Sequence, residues 1–194
     1  MNETIGNILE RRSVRKYQDR QLDERALSAI LEAGRHAPSG GNNQSTRFLV
    51  IQSAGVIREL EELGTKLFAQ MQVMPDTYKS LAAAIRASKK GHNPFTYGAP
   101  TLILVSNKRG YGNAMADCAC ALQNMMIAAQ SLDVGTVWIN QIRWLRDDPA
   151  MTDYLEKLGV PKDELVCGGL SAGYGAEGKR RPLKRDGNPV VYVR

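Results

Sequence analysis

Arginine recurs at Arg11, Arg12 and Arg15 around Ser13, and a second basic run, Lys179-Arg180-Arg181 with Lys184 and Arg185, lies toward the C-terminus. Guanidinium forks suit phosphate because they give paired, charge-assisted hydrogen bonds, and Ser13 adds a hydroxyl donor. Between the two clusters comes the turn Ala37-Pro38-Ser39-Gly40-Gly41-Asn42-Asn43-Gln44. Amide side chains such as Asn42 and Gln44 donate and accept together, which matches the imide edge of a planar heterocycle. The set reads as a site for an anionic ligand with a polar, flat ring. Each stretch alone also fits a solvated helix end, or an Asn-rich turn bonded to its own backbone. The pair of cationic clusters favours one shared phosphate.

Other chemistries lack their residues. The two histidines are separate. His36 is expected to close a helix C-terminus, where a cation is favourable, and His92 to lie in an exposed loop. Neither belongs to a nucleophile–base–acid set, so no side chain is assigned a catalytic role. No G-x-G-x-x-G follows a strand, which argues against a resident Rossmann-type dinucleotide. Of the three cysteines, Cys118 and Cys120 are two apart on a helix and point to different sides. They and Cys167 are expected to be buried, reduced and free of iron–sulfur or other metal spacing. The net charge of +6 raises a nucleic-acid partner, but neither basic run is interleaved with stacking aromatics. No apolar run is long enough for a membrane span. The N-terminus lacks a signal-sequence pattern, so the expected location is cytoplasmic.

The elements that must hold these residues alternate in type. A helix is expected over 4–10, a second opened by Asp23, and a strand at Phe48-Leu49-Val50-Ile51. After a helix over 56–68, the looser stretch 68–97 reads as an excursion over a pocket. Pro100 to Ser106 is the clearest strand, apolar enough to be covered on both faces. The helix from Ala114 to Leu132 is apolar nearly all round, so it needs cover that a second subunit would supply. Strands follow at 135–139 and 165–172, separated by a helix with Asp148 as cap and Pro149 at its first position. The tail Pro189-Val190-Val191-Tyr192-Val193 is β-prone. The expectation is one α+β, α/β-like domain over residues 1–194, with a central mixed sheet flanked by helices.

Taken jointly, the segments resemble the FMN-dependent nitroreductase family. Arg11-Arg12-Ser13-Val14-Arg15-Lys16-Tyr17 matches its R-x-S-x-R-x-[FY], and Ala37-Pro38-Ser39 with Asn42 and Gln44 matches A-P-S-x-x-N-x-Q. Asp117 with Gln123-Asn124-Met125 and Ala128-Ala129 resembles its buried-helix segment, and Gly135 through Trp138-Ile139 its G-x-x-W-I. The resemblance implies FMN at a homodimer interface, two sites per dimer. It implies that Arg11, Ser13 and Arg15 anchor phosphate and ring, with Arg12 beside them, and that Asn42 bonds the pyrimidine edge with Gln44 nearby. Pro38, Ser39 and Gly40 would reach the flavin from the partner subunit. Asn140 and Gln141 would stand near the reactive ring nitrogen, and one or more of Arg181, Lys184 and Arg185 would complete the phosphate site. Ser45-Thr46, Asn140-Gln141 and Gly175 depart from the usual pattern, which bears on the substrate wall and on flavin tuning.

The implied activity is ping-pong. NADH or NADPH, a transient reductant, reduces FMN and leaves; a small-molecule acceptor such as a nitroaromatic or quinone then enters. The cofactor carries the difficult chemistry. Alternatives are other redox chemistry on the same fold (dehalogenation, double-bond reduction or dehydrogenation) and a non-catalytic flavin-binding module.

Overall fold

The computed structural model describes residues 2–178 and 182–194. Helix α1 spans Glu3–Glu10 and starts where the Asn2 side chain accepts the Ile5 N–H. Helix α2 spans Glu24–Arg35; the Asp23 carboxylate accepts the Ala26 N–H at 2.8 Å, and His36 closes the other end. Both starts are side-chain caps on orphan backbone donors. Strand β1 is Arg47–Ile51, α3 Ala54–Gln70, α4 Lys79–Lys89, β2 Thr101–Lys108 and α5 Ala114–Ser131. Strand β3 is Val134–Ile139, α6 Gln141–Leu145, α7 Pro149–Lys157 and β4 Glu164–Tyr174. Helix α7 has the expected Asp148 cap and Pro149 at its start. The five-residue α6 has no counterpart in the sequence reading, because it is too short to show periodicity.

The strands lie in the order β1-β2-β4-β3, and every pairing is antiparallel. The mixed sheet expected from sequence is therefore corrected. The only parallel link among the described residues is the isolated bridge between Ser13 and Thr136. A continuously apolar strand reports cover on both faces, and here helices supply that cover to an antiparallel sheet. Successive residues of β2 divide between the two faces. Leu102 and Leu104 join a core with Leu60, Phe68, Ile142 and Leu145. Ile103 and Val105 join one with Ile30, Leu122 and Met125. The period of two in a pleated strand makes this division.

The tail is a second correction. Residues 189–194 form no strand, and Val193 is 96% exposed. A β-prone segment without a neighbour to share a ladder gains nothing from extending. Cys120 is a third: Cys118 and Cys167 are buried, but Cys120 is exposed in the single chain. No helix among the described residues is long and apolar enough to cross a membrane.

One polar knot ties three strands together where β1 and β4 begin. The Arg47 Nε–H and Nη2–H groups donate to Glu164 at 3.0–3.1 Å, and the Ser106 hydroxyl donates to Glu164 Oε2 at 2.6 Å. The Glu164 side chain is 8% exposed and that of Arg47 45%. Removing the partner of a buried charge is costly, about 3 kcal/mol. Arg47→Ala should therefore lower the unfolding temperature by roughly 6–12 °C for a domain of this size. Glu164→Gln, which leaves the better-solvated Arg47 alone, should lower it less. Thermal scans of the two variants check the order.

Candidate functional site

The arginine segment is held on the sheet by backbone bonds and by two glycines. Val14 N–H donates to Thr136 O at 2.9 Å, Gln18 N–H to Tyr174 O at 2.8 Å and Ala176 N–H to Lys16 O at 3.0 Å. Gly135 and Gly173 face each other across β3 and β4. A Cβ on Gly135 would come within 2.8–2.9 Å of Val14 side-chain carbons, and one on Gly173 would meet Pro100 Cδ at 2.6 Å and Tyr17 Cδ1 at 2.9 Å. Only the absence of side chains at these two positions lets residues 13–17 lie down there. The Tyr17 hydroxyl then donates within reach of Val14 O, at 2.8 Å, and Ser171 O, at 3.3 Å. Gly135→Val should lift the segment, weaken ligand binding at least about tenfold and cost 1–3 kcal/mol of stability, the usual range for overpacking. Ligand titration and denaturant melts on one preparation read both.

Next to this segment Arg185 of the second basic run approaches Arg11. Arg11 is half-buried, and its pKa is lowered by burial and by the charges of Arg185 and Arg12 beside it. Guanidinium groups held close together repel one another, and an anion between them would relieve that repulsion. Lys184 is mostly solvated and bonds Asp186 at 2.9 Å, so of the described cations of that run Arg185 is the one brought to Arg11. Arg181 lies outside the described residues. Lys16 pairs with Glu177 at 2.8 Å. Arg12, Val14, Arg15 and Lys16 line a cavity of about 560 Å³ with Gln130, Asp133 and Gly135. That volume suits a cofactor-sized ligand.

Tyr97 completes this side. The Arg15 guanidinium lies 5.6 Å from the centre of its ring, a cation–π distance. Tyr97 ends the stretch 68–97, whose packing is firm where it is apolar: Phe68, Ile85 and Phe95 are buried. Glu61 Oε1 accepts from Thr96 N–H at 2.8 Å and from Thr96 Oγ1–H at 2.7 Å. Trp144 of α6 meets the rings of Phe68 and Tyr78 edge-on at 6.4 and 6.2 Å. One turn earlier, at the junction of β3 and α6, Trp138 Nε1–H donates to Asn140 Oδ1 and Asn140 N–H to Gln141 Oε1, both at 3.0 Å. The Asn140 backbone donor is thus already engaged by its neighbour.

The turn lies elsewhere. Pro38, Ser39, Asn42, Gln44 and Asp117 line a different cavity, also about 560 Å³, that shares no residue with the arginine cavity. Asp117 stands near the start of α5, whereas Gln130 of the arginine cavity stands near its end. Thirteen residues of helix separate them by about 20 Å. One chain therefore places Arg12 and Arg15 at one end of α5 and the Pro38–Gln44 turn at the other. Sequence reasoning missed Tyr97 and Tyr111, which no local pattern marks, and it gave Asp117 no role beyond a motif match.

The antiparallel sheet, covered on both faces and carrying a cationic cleft at its β3 edge, defines an α+β protein of one recognisable build. The chain belongs to the Nitroreductase family, whose model matches residues 8–174. A nitroreductase with bound FMN from Bacteroides fragilis NCTC 9343 superposes with a TM-score of 0.86 at 37% identity, covering 99% of this chain and 100% of that one. A nitroreductase with bound FMN from Desulfitobacterium hafniense DCB-2 gives 0.83 at 27% identity, with both chains covered in full. The FMN reductase [NAD(P)H] of Bacillus subtilis is 28% identical over 182 residues, 91% of this chain and 68% of its own length.

Proposed function

We propose that this protein is an FMN-dependent oxidoreductase that passes electrons from NADH or NADPH to a small planar acceptor, a nitroaromatic or a quinone, and that it works as a homodimer. The observation that carries this reading is the approach of Arg185 to Arg11 beside Arg12, in a fold shared with FMN-bound nitroreductases. FMN, when bound, supplies the two-electron chemistry between donor and acceptor.

The chain's own residues bind and orient. Arg11 and Arg185 hold the phosphate with paired, charge-assisted hydrogen bonds, and Arg12 adds charge at the same place. Ser13 offers a hydroxyl, and Arg15, fixed over Tyr97, faces the ring system. Asn140 and Gln141 flank the ring where β3 gives way to α6. The 68–97 stretch, anchored through Thr96 and Trp144, covers the ring and excludes water.

The second copy supplies the turn. Ala116, Ala119, Cys120, Gln123 and Ile127 follow one another at helical spacing along α5, and none of them is buried. A two-fold axis across that strip sets two α5 helices side by side and antiparallel. The start of each then neighbours the end of the other, which carries one copy's Pro38, Ser39, Gly40, Asn42 and Gln44 to the other copy's arginines. The same contact gives cover to the exposed Ile5, Ile8 and Leu9 of α1 and to the tail.

The deciding experiment is an absorbance spectrum of the purified protein with FMN, before and after anaerobic addition of NADH or NADPH. Flavin bands that bleach support the reading. Bound flavin that stays oxidised with both reductants removes the proposed electron source. No uptake of FMN removes the reading as a whole.

A further inference from the structure

The turn that the proposed site borrows from the second copy is strained. Gly41, Asn42 and Gln44 all have positive φ, at 59°, 55° and 51°. Glycine adopts this region freely, but Asn and Gln do so at a cost of order 1–3 kcal/mol each. Local bonds shape the turn: Asn42 N–H donates to Ser39 O at 2.9 Å, Asn43 N–H to Gly40 O at 3.2 Å and Gln44 N–H to Ser39 Oγ at 3.0 Å. None of these ties the turn to the rest of the molecule.

Asn43 is linked through the Ser45 hydroxyl to Asn107 Oδ1 of β2, and Gly40 makes the direct tie to α5. Its N–H donates to Asp117 Oδ1 at 3.1 Å. The Tyr111 hydroxyl lies 3.0 Å from Asp117 Oδ2 and 3.2 Å from Gly40 O, so it closes the ring of contacts. Asp117 is 4% exposed. The approach is tight: a Cβ on Gly40 would come within 2.0 Å of Asn113 Nδ2 and 2.8 Å of the Tyr111 hydroxyl. A buried carboxylate on an apolar helix is expensive unless its oxygens are bonded. Here one bond goes to a strained turn and the other to Tyr111, whose hydroxyl also reaches that turn. Asp117 is also the polar residue that lines the turn's cavity from the α5 side.

We propose that Asp117 is a positioning residue for the flavin site, holding the Ser39–Gln44 turn, through Gly40 and with Tyr111, in the conformation that one copy presents to the cofactor of the other. This rests on the FMN-dependent dimer proposed above. Asp117 touches neither cofactor nor substrate; it acts through the turn. An asparagine at this position keeps the same pattern. Its Oδ1 accepts from Gly40 N–H, its Nδ2–H donates to the Tyr111 oxygen, and the Tyr111 hydroxyl donates to Gly40 O.

The test compares Asp117→Ala, Asp117→Asn and Tyr111→Phe with the unaltered protein, by FMN titration, visible circular dichroism of the bound flavin and thermal unfolding. Asp117→Ala should weaken FMN binding at least about tenfold, as expected for a lost charge-assisted bond, and change the flavin's dichroism. Asp117→Asn should return both to near the unaltered values. Tyr111→Phe, which keeps the packed ring and removes only the hydroxyl, should show the same changes in smaller degree with little change in unfolding temperature; it carries the test if Asp117→Ala does not fold. Unchanged affinity and dichroism in Tyr111→Phe and Asp117→Ala would overturn the proposal. So would losses in all three variants that merely track a lowered unfolding temperature. Failure of the unaltered protein to take up FMN would instead overturn the reading on which this rests, and is seen before any variant is made.

Discussion

The double variant Arg11→Ala/Arg185→Ala should lose FMN almost entirely. A hydrogen bond to a charged group contributes about 1.5–3 kcal/mol, so each arginine alone accounts for roughly 10- to 150-fold in affinity. The pair should then cost at least about a hundredfold, even with some non-additivity. Stability should move the other way. Arg11 is destabilised by burial and by the neighbouring Arg185 and Arg12 charges, so the flavin-free protein should melt no earlier than the unaltered one when that repulsion is relieved. Loss of ligand affinity together with kept or improved apoprotein stability is the mark of a cluster retained for binding. Lys184→Ala is the control, since Lys184 pairs with Asp186 and is mostly solvated. Flavin fluorescence titration and thermal scans measure both quantities. A double variant that holds FMN within about threefold of the unaltered protein would show that the phosphate sits elsewhere.

Two inactive variants should repair each other. Gly41→Val forces a β-branched residue into positive φ, with no neighbour within 4 Å to complicate the result. It should spoil the turn and leave the arginines untouched. The Arg11→Ala/Arg185→Ala protein has the opposite lesion. In a homodimer with shared sites, random mixing makes half the dimers mixed, and each mixed dimer has one site built from two intact halves. Mixing the two variants by co-expression or joint refolding should therefore restore about a quarter of the unaltered activity from two proteins that have almost none. The distance between the turn and the arginine cluster along α5 motivates this expectation. Recovery would be absent if each chain completed its own site, and the shared-site dimer would then be wrong.

The parts of the fold legible in the sequence are those governed by neighbours in the chain. Asp23 and Asp148-Pro149 mark helix starts because capping is a contact over three residues. The faces of α2 and the apolar centre of β2 follow from periods of 3.6 and 2. Two-sided burial of β2 was legible for the same reason, but strand direction was not. An apolar run states that helices cover both faces and is silent on which way the neighbours run. Residues 189–194 show the limit of propensity: β-prone composition by itself forms no strand in the single chain.

For the site, the sequence alone determined which residue types are present to bind an anion and a flat polar ring, in which segments, and that they match one family's motifs. Types and local spacing are properties of the chain itself. Tertiary structure decided which of them meet. Arg185, not Lys184, is brought to Arg11 across more than 170 positions, and Arg15 is set over Tyr97. Gly135 and Gly173 become a seat only because β3 and β4 pair in that register. Asp117 acquires a partner in Gly40, and the length of α5 sets the turn apart from the arginines. These relations depend on the path of the backbone between distant segments, and no residue's own chemistry encodes that path.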